Sequence, residues 1–263
     1  MLHLSDITTQ VADLAIEVGR FIYHEALNFD KSKIEYKGGN DLVSYVDKEA
    51  EKKLVAGLKL ILPSAGFVTE EGTEQMSTTE LNWVVDPLDG TTNFLHGLPV
   101  YSISIGLMDK NEVVVGVVYE INRGECFTAY RGGGAFCNAK QIQISTVSTL
   151  KESLIATGFP YSLLDKGDQY FKLMQELQIS SHGLRRLGSA AVDLCYVAAG
   201  RFDAYYEFNL NPWDVSAGIL IVEEAGGVVT DFYGEKKALS GKQVLAAGKI
   251  HLQLLTIIKK HWS

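Results

Sequence analysis

Between Asn82 and Ile144 the chain offers the β-rich runs NWVVD, YSISIGLM, VVVGVVYE, ECFTAY and QIQIS, separated by a few turn residues such as Asp109-Lys110-Asn111 and Asn122-Arg123-Gly124. Strands this closely spaced predict an antiparallel meander. Helical periodicity precedes it. Ile7, Val11, Leu14, Val18, Phe21 and Ile22 recur at helical spacing behind Ser5, which is expected to cap the helix. A second helix is predicted from Val43 and Ser44 to Pro63, with Val46, Ala50, Leu54, Leu58 and Ile61 on one face and Asp47 in its first turn.

Residues 145–149 form a short Ser/Thr-rich stretch, after which the pattern changes. Strand-like SLIATGF, DAYYEF, GGVVTDF and QVLAA alternate with helical DQYFKLMQELQ, SAAVDLCYVAA, DVSAGILIVEEA and the stretch after Lys249. Gly200 and Gly226, just past two of these helices, read as left-handed caps. A soft boundary therefore divides 1–145 from 146–263. Both parts mix helix with sheet, so a layered α/β architecture is expected.

A length of 263 residues with 46% hydrophobic content is ample for a buried core. The net charge of −8, with no basic run, argues against nucleic acid as a partner, because nucleic-acid phosphates need a basic footprint. The same charge repels phosphorylated metabolites, so an enzyme acting on them needs metal cations or local donors to reverse the field. Cys126, Cys137 and Cys195 lack CxxC spacing and read as buried reduced thiols. Asp6, Asp13 and Glu17 interrupt the first residues, which read as neither a signal peptide nor a membrane span; a cytoplasmic protein is expected. The histidines show no ligand spacing, and His96 in NFLHG suits a helix C-terminus. Gly132 to Gly134 lack the strand-to-helix context of a dinucleotide fold and read as a turn, so no nucleotide cofactor is expected.

Chemistry concentrates in carboxylates. In WVVDPLDGTTNF an apolar strand is expected to end at Asp86, Pro87 to stop its ladder, and Gly90-Thr91-Thr92 to open a helix. Asp86, Asp89 and the Leu88 carbonyl are hard oxygen ligands suited to Mg²⁺, beside backbone N–H groups that suit an anion. Taken alone, the two carboxylates could equally serve as caps and Asx-turns. GFVTEEG adds Glu70 and Glu71 at another strand end, and NPWDVSAGILIVEEAGG adds Asp214 at a helix start, where capping is the ordinary role. Glu70, Asp86, Asp89 and Asp214 thus come from separate element termini, as a two-metal phosphoryl-transfer site requires.

With VTEEG, WVVDPLDGTTNF and WDVSAGILIVEEAGG in this order, and with GGNDLVSYVDKEAE, GAFCN and LGSAAVDL between and around them, the chain resembles the inositol monophosphatase family over nearly its whole length. The resemblance implies a five-layered αβαβα sandwich of two subdomains, a homodimer, two or three Mg²⁺ ions, and lithium sensitivity. It places Glu70, Asp86 and the Leu88 carbonyl on a first metal and Asp86, Asp89 and Asp214 on a second. Water would be oriented by Glu70 and by Thr91, whose hydroxyl would hydrogen-bond to Asp47. Phosphate would rest on the metals and on the backbone of Gly90 and Thr91, and substrate hydroxyls on Asp89, the backbone of Ala190, and Glu207. Lys37 matches a position near the phosphate.

The implied activity is hydrolysis of a small-molecule phosphate monoester, inositol 1-phosphate or a similar polyol or sugar phosphate. Sister activities on fructose 1,6-bisphosphate, 3′-phosphoadenosine 5′-phosphate, NADP or histidinol phosphate share the metal motifs, and a regulatory binding protein of the same fold is a further alternative. Ala139 departs from the glycine usual in the family after GAFCN, which is expected to alter a turn.

Overall fold

A computed structural model describes residues 2–29, 34–36, 42–73, 79–159, 166–236, 239 and 242–262. Lys37 lies outside them. The first periodic segment forms α1 (Leu4–Leu27), burying Ile7, Val11, Ala15, Val18 and Ile22. Its N-cap is His3 rather than Ser5, because the Ile7 N–H already reaches the His3 carbonyl at 3.1 Å and draws Ser5 into the first turn. A small antiparallel pair, β1 (Ile34–Tyr36) and β2 (Leu42–Ser44), leads into α2 (Tyr45–Ile61). Ser44 caps α2 in a capping box: its Oγ accepts the Val46 N–H, and Asp47 accepts the Ser44 N–H.

The meander is present. β3 (Gly66–Thr69), β4 (Leu81–Asp89), β5 (Ser102–Asp109), β6 (Glu112–Glu120), β7 (Glu125–Tyr130), β8 (Gly134–Cys137) and β9 (Lys140–Gln141) form one sheet in sequence order. All pairs are antiparallel except β3 with β4. QIQIS is mostly not a strand: only Gln141 joins the ladder, because Ile142 and Ile144 leave the edge to pack into the core between the sheets. Gly132 and Gly134 make the β7–β8 turn with φ of 79° and 82°. At the two-residue β8–β9 turn Asn138 and Ala139 both have positive φ, 48° and 63°, a conformation that favours Gly at the second position.

A short helix, α3 (Thr91–His96), follows β4. The second sheet takes the order β11-β10-β12-β14-β13, from β10 (Leu154–Thr157), β11 (Gly183–Arg185), β12 (Ala204–Phe208), β13 (Val228–Thr230) and β14 (Gln243–Ala247). β10 runs parallel to β11 and β12, and the other pairs are antiparallel. Further α-helices among the described residues are α4 (Gly167–Ser180), α5 (Ala190–Ala198), α6 (Pro212–Glu224) and α7 (His251–Trp262). Gly200 and Gly226 take the left-handed conformation just past α5 and α6.

Three cores bind these elements into an αβαβα sandwich. α1 and α2 pack on one face of the first sheet through Trp83, Val85, Ile103, Ile105 and Val115. α5 and α6 fill the space between the sheets, against Phe127 and Ala129 on one side and Tyr205 and Val244 on the other. α4 and α7 cover the outer face of the second sheet through Tyr170, Leu173, Tyr206 and Trp262. α6 is buried almost all round, as a helix between two sheets must be. It lies unusually close to the first sheet, since a Cβ on the paired Gly106 and Gly116 would come 2.7 Å from Ser216 Oγ and the Ala217 carbonyl. Cys126 and Cys195 are buried free thiols, whereas Cys137, near the sheet edge, is only half-buried. Among the described residues no helix is long and apolar enough to cross a membrane.

Candidate active site

Residues three apart in a regular strand face opposite ways. Asp86 and Asp89 do not, because β4 does not end at Pro87 as its sequence predicts. The ladder breaks there and resumes at Asp89, pairing Asp86 with Ser104 and Asp89 with Ser102. One extra residue on β4 makes a bulge and turns both carboxylates to the face shared by Ser102 and Ser104. Asp86 Oδ1 accepts the Leu88 N–H at 2.9 Å across the bulge. Gly90, at φ 98°, then turns the chain into α3.

Behind this strand exit stands α2. Thr91 Oγ1 lies 2.9 Å from both Asp47 Oδ1 and the Leu88 carbonyl. Asp47 is buried, and its other oxygen accepts the Ser44 N–H at 2.9 Å and the Ser44 hydroxyl at 2.6 Å. With one Asp47 oxygen committed to Ser44, the other shares the single Thr91 hydroxyl proton with the Leu88 carbonyl. Glu70 follows β3, its N–H bonded to the Val85 carbonyl at 3.2 Å.

Asp214 arrives from α6, whose N-cap is Asn211. Asp214 Oδ2 accepts the Asn211 N–H at 2.7 Å, and the Ser104 hydroxyl holds the Trp213 carbonyl at 3.1 Å, docking the helix start beside Asp86. Asp89 reaches α5: its Oδ2 accepts from Ser189 Oγ at 2.6 Å and the Ala191 N–H at 2.8 Å, around Ala190. Glu207, on β12, accepts from Tyr205 OH at 2.6 Å.

Glu70, Asp86, Leu88, Asp89, Gly90, Thr91, Ala190, Glu207 and Asp214 all line one cleft of about 140 Å³, open to solvent. Asp47 stands behind Thr91 and does not reach the cleft surface. Two contributors escaped the sequence reading. Arg186 lines the same cleft, its guanidinium carbon 5.7 Å from the Phe159 ring, but the pair Arg185-Arg186 carries no motif to separate it from surface charge. Glu51 is fully buried and accepts the Glu71 N–H at 2.8 Å, the Thr73 N–H at 2.9 Å and the Thr73 hydroxyl at 2.7 Å, fastening the segment after Glu70. Its one available signal was its place one helical turn after Asp47.

The electrostatics follow from crowding acids in a cleft. Burial, and then the charge of Glu70, pushes Asp86 well above the usual carboxylate range. Burial raises Asp89 to about 6 against the hydrogen bonds from Ser189 and Ala191, and raises Asp214 strongly as well. Glu207 is pushed by burial to about 7, and Asp47 is also raised by burial. Among the described residues no three acidic, His or Cys side chains form a ready-made cation cage. One oxygen of Asp86, Asp89 and Asp214 is instead occupied by a protein donor. The donor set is nonetheless all oxygen, anionic and mutually repelling, which matches Mg²⁺ rather than a softer metal.

The model of the inositol monophosphatase family matches residues 3–263. The chain is 39% identical over 253 residues to the Nus factor SuhB of Pseudomonas aeruginosa, covering 94% of this chain and 93% of that protein. It is 38% identical over 248 residues to the inositol-1-monophosphatase of Mesorhizobium japonicum, covering 94% and 93%. The crystal structure of the extragenic suppressor protein suhB from Bartonella henselae superposes with a TM-score of 0.90 at 39% identity, covering 97% of this chain and 99% of that one. Fold, motif order and these likenesses agree: the chain belongs to the inositol monophosphatase family.

Proposed function

We propose that the chain is a Mg²⁺-dependent phosphate monoester hydrolase acting on inositol 1-phosphate or a similar small polyol or sugar phosphate. The observation that carries this reading is the meeting of Glu70, Asp86, Asp89, Asp214 and the Thr91–Asp47 pair on one cleft whose far wall holds Glu207. Glu70, Asp86 and the Leu88 carbonyl would hold one ion and Asp86, Asp89 and Asp214 another, Glu70 reaching a third where present. When bound, Mg²⁺ neutralises the phosphate and the crowded carboxylates and polarises water. Residues 1–145 and 146–263 are the two subdomains of this reading, which extends to a homodimer in the cytoplasm.

The side chains divide the remaining work. With the Leu88 carbonyl engaged by an ion, Asp47 would accept the Thr91 O–H hydrogen bond, so the Thr91 oxygen turns a lone pair to the cleft and orients a water molecule together with Glu70. Water oxygen attacks phosphorus as it gives up a proton, the ester P–O bond breaks, and the departing alkoxide takes up a proton from water, leaving alcohol and inorganic phosphate. The backbone of Gly90 and Thr91 borders the phosphate. Glu207, Asp89 and the backbone at Ala190 take the hydroxyls of the alcohol. The test is phosphate release with Mg²⁺ from inositol 1-phosphate, fructose 1,6-bisphosphate, 2′-AMP, histidinol phosphate and the adenosine bisphosphate. Inositol 1-phosphate is expected to be hydrolysed fastest, and chelation to stop the reaction. Preference for a bisphosphate withdraws the polyol assignment, and release from none withdraws the phosphatase.

A second reading is favoured by the relative from P. aeruginosa, a Nus factor that resembles this chain from end to end. A binding role in a transcription assembly can coexist with hydrolysis. Binding of purified transcription factors or RNA that persists in Asp214→Asn, with hydrolysis gone, separates the two roles. Absence of such binding in the wild-type chain rejects the second.

A further inference from the structure

Gly158 follows β10 at the wall of the cleft. Its φ lies outside the left-handed region, so the backbone there does not require glycine. The space does. A Cβ at this position would lie 1.9 Å from Glu207 Oε2, 2.1 Å from its Cδ and 2.2 Å from Oε1. The carboxylate of Glu207 therefore fills the volume that any side chain at 158 would need.

The two backbones cannot separate to relieve such a clash. Thr157 is in register with Tyr206 across the parallel β10–β12 ladder, and its hydroxyl lies 2.9 Å from the Tyr206 carbonyl. Tyr170 OH, buried beneath them, lies 2.6 Å from Thr157 Oγ1 and 3.0 Å from the Gly158 carbonyl. The group able to move is the carboxylate, at the end of a flexible side chain and held by Tyr205 OH at 2.6 Å. A methyl at 158 would spare the fold, break that bond and expel the carboxylate from its place.

We infer that Gly158 is a specificity-determining residue: by lacking a side chain it admits the Glu207 carboxylate to the cleft wall, so positions 158 and 207 act as one device for hydroxyl-bearing substrates. This rests on the proposed reading of the cleft as a polyol phosphate site and adds to it a position with no polar group of its own. With a methyl at 158 the wall presents apolar surface instead, and the preference for ring hydroxyls is lost.

The experiment is a cycle of Gly158→Ala, Glu207→Ala and the double variant in the full chain. It measures kcat and KM with Mg²⁺ on inositol 1-phosphate and on para-nitrophenyl phosphate, which has no ring hydroxyls, and melting without Mg²⁺. Losing a charge-assisted hydrogen bond should reduce kcat/KM on inositol 1-phosphate by roughly 10–150-fold more than on para-nitrophenyl phosphate. The loss should fall mainly on KM, be similar in both single variants, and not deepen in the double variant. Gly158→Ala should lower the melting temperature only while Glu207 is present. Additive losses, or an unchanged preference between the two esters in Gly158→Ala, overturn the inference. A Gly158→Ala chain that folds only in the Glu207→Ala background supports the pairing, and one that folds in neither overturns it. If the wild-type chain hydrolyses neither ester, the phosphatase reading fails by itself. The melting cycle needs no substrate and still overturns the shared space if the two substitutions act independently.

Discussion

The wall of the cleft that carries Asp86 and Thr91 is tied together over short stretches of chain, whereas the wall that carries Ala190 and Glu207 is assembled across great sequence distance. On the first wall Asp86 bonds to Leu88, Thr91 reaches back to the Leu88 carbonyl, and Asp47 is fixed by Ser44, all within three residues. Its longer reaches are the Glu70 N–H to the Val85 carbonyl, the Thr91–Asp47 bond and the Ser104–Trp213 bond at the start of α6. On the second wall Asp89 spans 100 residues to Ser189 and 102 to Ala191, and Glu207 occupies the space left by Gly158. The turn that carries Asp86 and Thr91 is thus set by local backbone geometry. Groups that meet the substrate depend on how the layers dock, so this wall can change its preference without disturbing the chemistry.

Asp89 joins the two walls, so it offers the severest test of the comparison. Asp89→Asn and Asp214→Asn should each remove nearly all Mg²⁺-dependent phosphate release while the fold survives. Each should also raise the melting temperature of the metal-free protein, because burial and neighbouring acids disfavour these charges. Near-wild-type turnover in either would end the proposed roles of these carboxylates. Asp89→Asn has a further consequence, since a neutral amide oxygen accepts the Ser189 and Ala191 hydrogen bonds more weakly than a carboxylate and should loosen the second wall. Hydrogen exchange at Ala190 and Ala191 should rise in Asp89→Asn and not in Asp214→Asn.

Within the first wall, Thr91→Ala removes the hydroxyl that Asp47 orients. Turnover should fall by roughly 10²–10⁴, the range for losing positioned acid–base assistance, with little change in Mg²⁺ affinity by calorimetry. An unchanged rate would remove the Thr91–Asp47 pair from the mechanism, and an equal loss of Mg²⁺ affinity would make it a support for the cation instead.

The smallest effect should come from Ala139→Gly, at a turn remote from both walls. Relief of an L-residue from the left-handed region, less the greater freedom of glycine when unfolded, should stabilise the protein by about 1 kcal/mol. That corresponds to a rise of about 2–4 °C in melting temperature, with kcat and KM unchanged. A loss of stability would mean that Ala139 fits its turn without strain, and a change in kinetics would mean that the hairpin communicates with the cleft.

Much of this was legible in the residues themselves. The meander followed from closely spaced β-rich runs, α2 from its periodicity and Ser44, and the concentration of carboxylates at strand exits from WVVDPLDGTTNF and VTEEG. Failures occurred where a local pattern was overridden by packing. QIQIS alternates like a strand, yet Ile142 and Ile144 are drawn into the inner core. Arg186 and Glu51 bear ordinary charges in ordinary surroundings, and only their neighbours distinguish them.

Most elements and the hydrogen bonds of shortest span can be read along the chain, because contacts two to four residues apart follow from backbone geometry and the nature of a few side chains. Layer packing adds that a bulge at Pro87 turns Asp86 and Asp89 to one side, that Gly106 and Gly116 let α6 bring Asp214 beside them, and that the bare Cα of Gly158 makes room for Glu207. These depend on which surfaces approach within a few ångströms, and close packing of whole layers sets that distance.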